Sequence, residues 1–135
     1  AIEVNPQYVN LRINYGKLLA KKGEHAAAMM QYRLALPLAP QSQELLYNFA
    51  NSLKKEGEVE EAIASYRKAI EVKPDFADAY LTLGILLKEE GKAAEAIALL
   101  KNAYQIEPSV VTSLAFVAQI SSMGEDFAES IFTAQ

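Results

Sequence analysis

The chain repeats itself every 34 residues. Glycine, alanine and proline return at that interval across three successive units, and a large side chain returns with them. Such agreement is not expected by chance, and a period of this length is typical of arrays in which small helical motifs stack on one another. The residues in phase are Gly23, Gly57 and Gly91; Ala28, Ala62 and Ala96; Tyr32, Tyr66 and Leu100; Ala35, Ala69 and Ala103; and Pro40, Pro74 and Pro108.

Each unit is predicted to form two helices. Apolar residues fall three and four apart over residues 45–55 and 80–88, so each stretch presents one apolar stripe. A glycine such as Gly57 follows, where a helix end favours a left-handed backbone. A second amphipathic stretch, at residues 60–72 or 94–106, ends before a proline. Because the turns are short and no alternating β pattern occurs, the sequence predicts an all-α fold of antiparallel helix pairs.

This pattern resembles the tetratricopeptide repeat family, whose 34-residue units carry aromatic, Leu-Gly, Tyr, Ala and Pro residues at fixed offsets. With the turn glycine as the fifteenth position, the units begin at Val9, Gln43 and Ala77. The first unit departs from the family pattern at Arg12, where the family has a large apolar residue. The third unit is nearest to the pattern, with Tyr80, Leu83, Gly84, Leu87, Gly91, Ala96, Leu100, Ala103 and Pro108.

The resemblance implies a right-handed α-solenoid, the superhelix of this family, and we predict one continuous domain. Its parts are the tail of an upstream repeat at residues 1–8, repeats at 9–42, 43–76 and 77–109, and a partial, divergent repeat at 110–135. Residues 1–6 match residues 69–74, and the phase slips after Gly124. Because both ends fall inside a unit and the chain does not begin with Met, we expect a fragment of a longer array.

No residue pattern indicates catalysis. Cysteine is absent and His25 is the single histidine, which excludes thiolate and histidine-rich metal sites. His25 falls at the turn between two helices, where a half-buried packing role is favoured. Glutamates around Glu58 lie near lysines at helical spacing, as expected for solvated faces. Tyr32 and Tyr66 recur in phase and are predicted to pack in the core. We therefore predict no enzyme activity, no metal and no cofactor.

The charge balance narrows the class of partner. A net charge of -4 argues against a nucleic-acid binder, and no apolar run approaches the length of a membrane span. A cytoplasmic location is favoured, although the residues identify no compartment. Residues 1–55 hold seven bases and three acids, whereas residues 56–135 hold six bases and fourteen acids. This asymmetry fits either ordinary solvated helix faces or a mildly cationic surface that meets a partner.

The resemblance also implies where a partner would bind. In this family the first helix of each repeat lines an extended concave face that binds extended or helical peptides. Carried over position by position, the face is predicted to include Asn10, Asn14, Lys17, Lys21, Tyr47, Asn48, Asn51, Lys54, Lys55, Asp78, Thr82 and Ile85.

Two modes of peptide recognition known in the family can be compared with these residues. A two-carboxylate clamp for chaperone tails would need cations where this chain has Ile13 and Asp78, so the clamp is predicted to be absent. An asparagine ladder like that of the O-GlcNAc transferase superhelix matches at Asn14 and Asn48 but breaks at Thr82. An amide suits this role because it offers a donor and an acceptor to a peptide bond. Asparagine is also common at this position in the family, so the match has two explanations.

The predicted function is that of a non-catalytic protein–protein interaction module. One alternative is the substrate-recruiting arm of a larger enzyme, such as an O-GlcNAc-transferase-like glycosyltransferase. A second alternative is a self-assembling scaffold, because neither end carries a polar cap. The apolar residues expected to be uncovered at the two ends are Val9, Leu11 and Tyr15, and Phe127, Ile131 and Phe132.

Overall fold

A computed structural model describes residues 5–123 of the chain. The described part contains seven α-helices and no strand, so the predicted all-α fold is confirmed. The helices are α1 (Pro6–Lys21), α2 (His25–Ala35), α3 (Gln43–Lys55), α4 (Val59–Val72), α5 (Ala77–Glu89), α6 (Ala93–Ile106) and α7 (Val110–Met123). Of the predicted tail at residues 1–8, residues 1–4 lie outside the described residues, as does the predicted turn at Gly124.

The chain divides into two compact units, residues 1–74 and 75–135. In the first unit, α1 packs on α2, α2 on α3, and α3 on α4, and α1 also touches α3. The core consists of the facing apolar stripes of these helices, and it includes both in-phase tyrosines, as predicted. Its most deeply buried large side chains are Tyr32, Leu45, Leu53 and Tyr66.

The second unit contains α5, α6 and α7, with α6 packed against both α5 and α7. Leu83 and Leu87 on α5 are fully buried, as is Leu100 on α6. Phe116 on α7 joins Leu100 in one apolar cluster. The third in-phase large side chain therefore has the same core role as the two tyrosines of the first unit.

The turn glycines close the first helix of each pair in the same way. Gly23, Gly57 and Gly91 have φ values of 86°, 83° and 79°, in the left-handed region that L side chains rarely adopt. At the first of these turns, the Glu24 amide donates to the Leu19 carbonyl at 2.9 Å, which is the long bond of a Schellman motif. The predicted left-handed helix ends are confirmed.

Helix α2 ends earlier in its 34-residue repeat than α4 and α6 end in theirs. The latter end at Val72 and Ile106, in phase with Leu38, whereas α2 ends at Ala35. Pro37 accounts for the difference, because proline has no amide hydrogen and its ring clashes with the preceding helical turn.

Arg12, the residue that departs from the family pattern, keeps its charge at the surface while its side chain packs. Its guanidinium lies 5.1 Å from the centre of the Tyr8 ring, and its Nε donates to the Tyr8 hydroxyl at 3.2 Å. A second guanidinium nitrogen donates to Gln31 Oε1 on α2 at 2.7 Å. Arginine thus bridges α1 to α2 at the position where an apolar residue was expected.

Candidate functional site

The two asparagines of the predicted ladder, Asn14 and Asn48, occupy the same position of the repeat. They lie on α1 and α3, the first helices of the first two repeats. Asn14 is exposed and Asn48 is half-buried. Among the described residues, neither side-chain amide has a hydrogen-bond partner. On the same two helices the Lys17 ammonium lies 3.2 Å from Glu44 Oε1 and links α1 to α3. The surface formed by these four residues is called the asparagine face below.

A packed cluster supports the α3 side of the asparagine face. The Tyr47 and Tyr66 rings meet edge to face, with their centres 5.8 Å apart. Asn51 Oδ1 accepts a hydrogen bond from the Tyr66 hydroxyl. Asn51 is therefore oriented by the core of the unit, and its amide nitrogen is the part that remains for a ligand. Tyr47, half-buried beside Asn48, is held in place by the same ring contact.

Burial changes the acidity of the two core tyrosines. It raises the pKa of Tyr32 to about 12, with a smaller contribution from the Glu44 carboxylate. Burial, assisted by Tyr47, raises the pKa of Tyr66 further still above its usual range. In both cases the low dielectric of the core disfavours the phenolate.

These shifts predict alkaline unfolding. A tyrosine whose folded pKa exceeds its unfolded pKa stabilises the fold fully below pH about 10, and this contribution is lost as the pH rises through the folded value. We therefore expect the free energy of unfolding to fall steeply between pH about 10 and 12, as measured by urea titration. Tyr66→Phe removes one of the two groups and should make this fall shallower. A free energy that does not change over that interval would contradict the prediction.

The predicted cations of the first unit do not share one environment. Lys17 is paired with Glu44, so its charge is already balanced. Lys21 and Lys55 are exposed, whereas Lys54 is half-buried and takes part in an interaction. The unpaired positive charge that a ligand would meet therefore comes from the ends of α1 and α3, in their last turns.

The remaining residues of the predicted concave face lie on α1 and α5. Asn10 is exposed in the second turn of α1. On α5, in the second unit, Asp78, Thr82 and Ile85 follow one another at helical spacing, and Ile85 is 37% exposed. Thr82 Oγ1 donates to the backbone carbonyl of Asp78 at 2.8 Å, so the hydroxyl is satisfied within its own helix.

Ile13 does not reach the surface. It shares α1 with Asn14 and Lys17, but it is only 5% exposed and packs in the core. The position that a carboxylate clamp would fill with a cation is thus occupied by a core side chain. The Lys17–Glu44 pair was not predicted from the sequence. The signal was present, because residues of opposite charge lie on the first helices of two adjacent repeats.

The apolar residues expected at the upstream end behave differently from one another. Leu11 and Tyr15 are 63% and 47% exposed, and Leu18 continues their stripe along α1. Val9 is 8% exposed, so the expectation that it is uncovered is wrong. Phe127, Ile131 and Phe132 lie outside the described residues.

The described residues contain no group of histidine and acidic side chains close enough to hold a metal ion. Within residues 5–123, no helix is long and apolar enough to cross a membrane. His25 is half-buried at the start of α2, as predicted, and its buried Nδ1 has no partner in the described part of the chain.

Sequence profiles of known families match most of the chain. The profile described as tetratricopeptide repeat matches residues 9–42 and again 77–110, and a second profile, described as TPR repeat, matches residues 50–91. No curated protein matches the chain.

Solved structures share the fold. The first TPR of Spaghetti (RPAP3), bound to the HSP90 peptide SRMEEVD, is 17% identical, with a TM-score of 0.85 over 93% of this chain and 100% of that one. The protein MamA is 23% identical, with a TM-score of 0.84 over 96% of this chain and 77% of that one.

A third structure, the Sgt2 TPR domain from Aspergillus fumigatus, is 20% identical, with a TM-score of 0.80 over 88% of this chain and 80% of that one. At these identities the likeness establishes the fold. Together with the repeat period, the three glycine turns and profile matches over more than half of the residues, it leads to one conclusion: this chain belongs to the tetratricopeptide repeat family.

Proposed function

We propose that the chain is a non-catalytic protein-interaction module that binds an extended peptide along the asparagine face. The observation that carries this proposal is the pair of unpartnered amides at the same register of α1 and α3, at Asn14 and Asn48. Each amide can donate to a peptide carbonyl and accept from a peptide amide, so the pair can bind backbone regardless of side-chain sequence.

The contacts that hold the side chains of the asparagine face in place favour a rigid site. Tyr47 is held against Tyr66, and the Lys17–Glu44 pair spans α1 and α3 on the same surface. A site that is already ordered loses little conformational entropy when a ligand binds. Lys21 and Lys55 lie at the ends of the two helices and favour a ligand with some negative charge, whose affinity falls as salt is added.

Asn48 is expected to be the most sensitive residue of the face. A side-chain amide bonded to a peptide backbone contributes about 0.5–1.5 kcal/mol, so Asn48→Ala should weaken a ligand several-fold. Because the amide has no partner in the described part of the protein, the melting temperature should barely change. Ligands come from a random peptide library displayed on phage and selected on the wild-type protein, and affinities from calorimetric titration.

Asn102→Ala is the matched control. Asn102 is an exposed asparagine on α6, outside the predicted face, and its replacement should leave both affinity and melting temperature unchanged. Equal affinities of wild type and Asn48→Ala would move the site off this face. A large loss of stability in Asn48→Ala would instead make Asn48 a structural residue.

The carboxylate clamp gives a second test. The Spaghetti domain is bound to a peptide that ends in Glu-Glu-Val-Asp. At two positions where the family resemblance predicts the cations of a carboxylate clamp, this chain has the buried Ile13 and the acidic Asp78. A peptide with that ending should bind this protein no better than its C-terminal amide, because Asp78 repels a carboxylate. A marked gain from the free carboxylate, measured by fluorescence anisotropy, would contradict this prediction.

One observation favours self-assembly as a second function. The stripe of Leu11, Tyr15 and Leu18 leaves an apolar face of α1 uncovered, and exposed apolar stripes promote association. Light scattering over a range of concentrations separates this function from peptide binding, because Tyr15→Glu should abolish association and leave binding at Asn48 intact.

A further inference from the structure

The exposed side of α2 carries large apolar residues at two positions where the matching helices α4 and α6 carry small or polar ones. Met30 and Leu34 are one helical turn apart, and they are 63% and 47% exposed. Ala26, one turn earlier, extends the same stripe toward the start of the helix. Nothing in the asparagine face accounts for these side chains, since the two surfaces share no residue.

The repeat itself provides an internal comparison. The positions in phase with Met30 are Ala64 and Ala98, and those in phase with Leu34 are Lys68 and Asn102. All four are exposed, as small or polar side chains ordinarily are on the outside of a helix pair. The fold therefore does not require large apolar residues here, and only the first repeat places them in water. The excess is specific to α2.

These side chains line an open groove of about 420 Å³. Met29, Met30 and Leu34 supply its apolar floor, and the turn between α3 and α4 supplies the opposite rim with Glu56 and Glu58. Methionine adapts its shape to different apolar partners because its side chain is unbranched and polarizable. From Ala26 to Leu34 the groove runs along about two turns of α2, which matches the contact face of a short helix.

The charges around the groove do not cancel. Arg33 lies in the groove, but its guanidinium pairs with Glu61 at 3.0 Å and stacks over Phe49 at 4.9 Å from the ring centre. Its charge is thus balanced within the protein. Glu56 and Glu58 are exposed and form no ion pair with any described residue. A ligand in the groove therefore meets an apolar floor with two uncompensated carboxylates beside it.

We propose that this groove is a second docking surface, which binds an amphipathic helix of a partner protein whose apolar stripe is flanked by lysine or arginine. Leucine-type side chains of the partner cover Met30 and Leu34, and its cations meet Glu56 and Glu58. Partner helices commonly bind in this way, with apolar anchors in a groove and charges that set orientation. The two surfaces would let one chain hold an extended peptide and a helix at once.

The test uses two labelled synthetic helical peptides with the same leucine stripe, one flanked by lysines and the other by glutamates. In fluorescence anisotropy titrations, the lysine peptide should bind the wild-type protein more tightly than the glutamate peptide. The double variant Met30→Ala, Leu34→Lys carries the residues of the second repeat, so it should fold normally. It should weaken the lysine peptide by about ten-fold or more, as loss of central apolar anchors does.

Charge variants test the rim. Glu56→Lys combined with Glu58→Lys should reverse the preference between the two peptides. Glu71→Lys is the single-charge control, because Glu71 is an exposed acid at the opposite end of α4 from Glu58, and it should leave the preference in place. Asn48→Ala should also leave the binding of the lysine peptide unchanged, which separates this proposal from binding at the asparagine face.

Three outcomes would overturn the proposal. The first is equal binding of the two peptides to the wild-type protein. The second is unchanged binding of the lysine peptide to the folded Met30→Ala, Leu34→Lys variant, with folding checked by circular dichroism. The third is a dimer of the protein alone, seen by sedimentation, that this variant dissociates, since the occupant would then be a second copy of the chain.

Discussion

Replacing Tyr66 by alanine is expected to lower the free energy of unfolding by about 3–5 kcal/mol, because truncating a buried aromatic ring leaves a cavity. The side chain is fully buried between α3 and α4, packs edge to face on Tyr47, and donates its hydroxyl to Asn51. Since a domain of this size is stabilised by only about 5–15 kcal/mol, the variant should unfold at much lower urea concentration, as followed by circular dichroism.

Tyr66→Phe is the matched control for this loss. It keeps the ring and the Tyr47 contact and removes only the hydrogen bond to Asn51, so it should cost about 0.5–1.5 kcal/mol. The difference between the two variants isolates the packing of the ring. If the phenylalanine variant were as unstable as the alanine variant, the hydroxyl rather than the ring would anchor the cluster, and Asn51 would have to be considered a core residue.

The sequence predicts most of the fold because its information is local and repeated. Helix spacing, the left-handed glycines and the large buried side chains Tyr32, Tyr66 and Leu100 each depend on a few neighbouring residues, and three copies of each reinforce the assignment. The early end of α2 was not predicted, although Pro37 is a local signal. The 34-residue period indicated Pro40 as the proline that follows the second helix, because Pro40 is in phase with Pro74 and Pro108. Pro37 is not in phase with any proline of the other repeats.

The site is less predictable because it depends on pairs of residues far apart in the chain. Lys17 meets Glu44 across 27 positions, and Asn51 meets Tyr66 across 15. Periodicity identifies which face of a helix is apolar, but the rotation that brings two side chains together is set by packing. Ile13 is an example: position counting places it beside Asn14 on the ligand face, yet its apolar side chain turns into the core.

Gly16→Ala is expected to destabilise the first helix pair, although alanine favours a helix over glycine by about 1 kcal/mol. A Cβ atom on Gly16 would lie less than 3.0 Å from three ring carbons of Tyr32. The ring is 1% exposed and is surrounded by packed core, so it cannot move aside. Overpacking of this kind costs about 1–3 kcal/mol, so we expect a net loss of stability in urea unfolding.

Gly84→Ala tests whether the rigid ring is the cause. Gly84 is in phase with Gly16, but its added Cβ would meet the end of the Leu100 side chain, 2.8 Å away, which can change rotamer more easily than a tyrosine ring. Gly84→Ala should therefore cost less than Gly16→Ala. The second repeat already pairs Ala50 with Tyr66 at these positions, so the fold accepts a methyl group where its helices are spaced for one. A neutral or stabilising effect of Gly16→Ala would contradict this prediction. It would mean that α1 and α2 move apart easily enough to accept the methyl group, so that the close approach of Gly16 to Tyr32 does not constrain the fold.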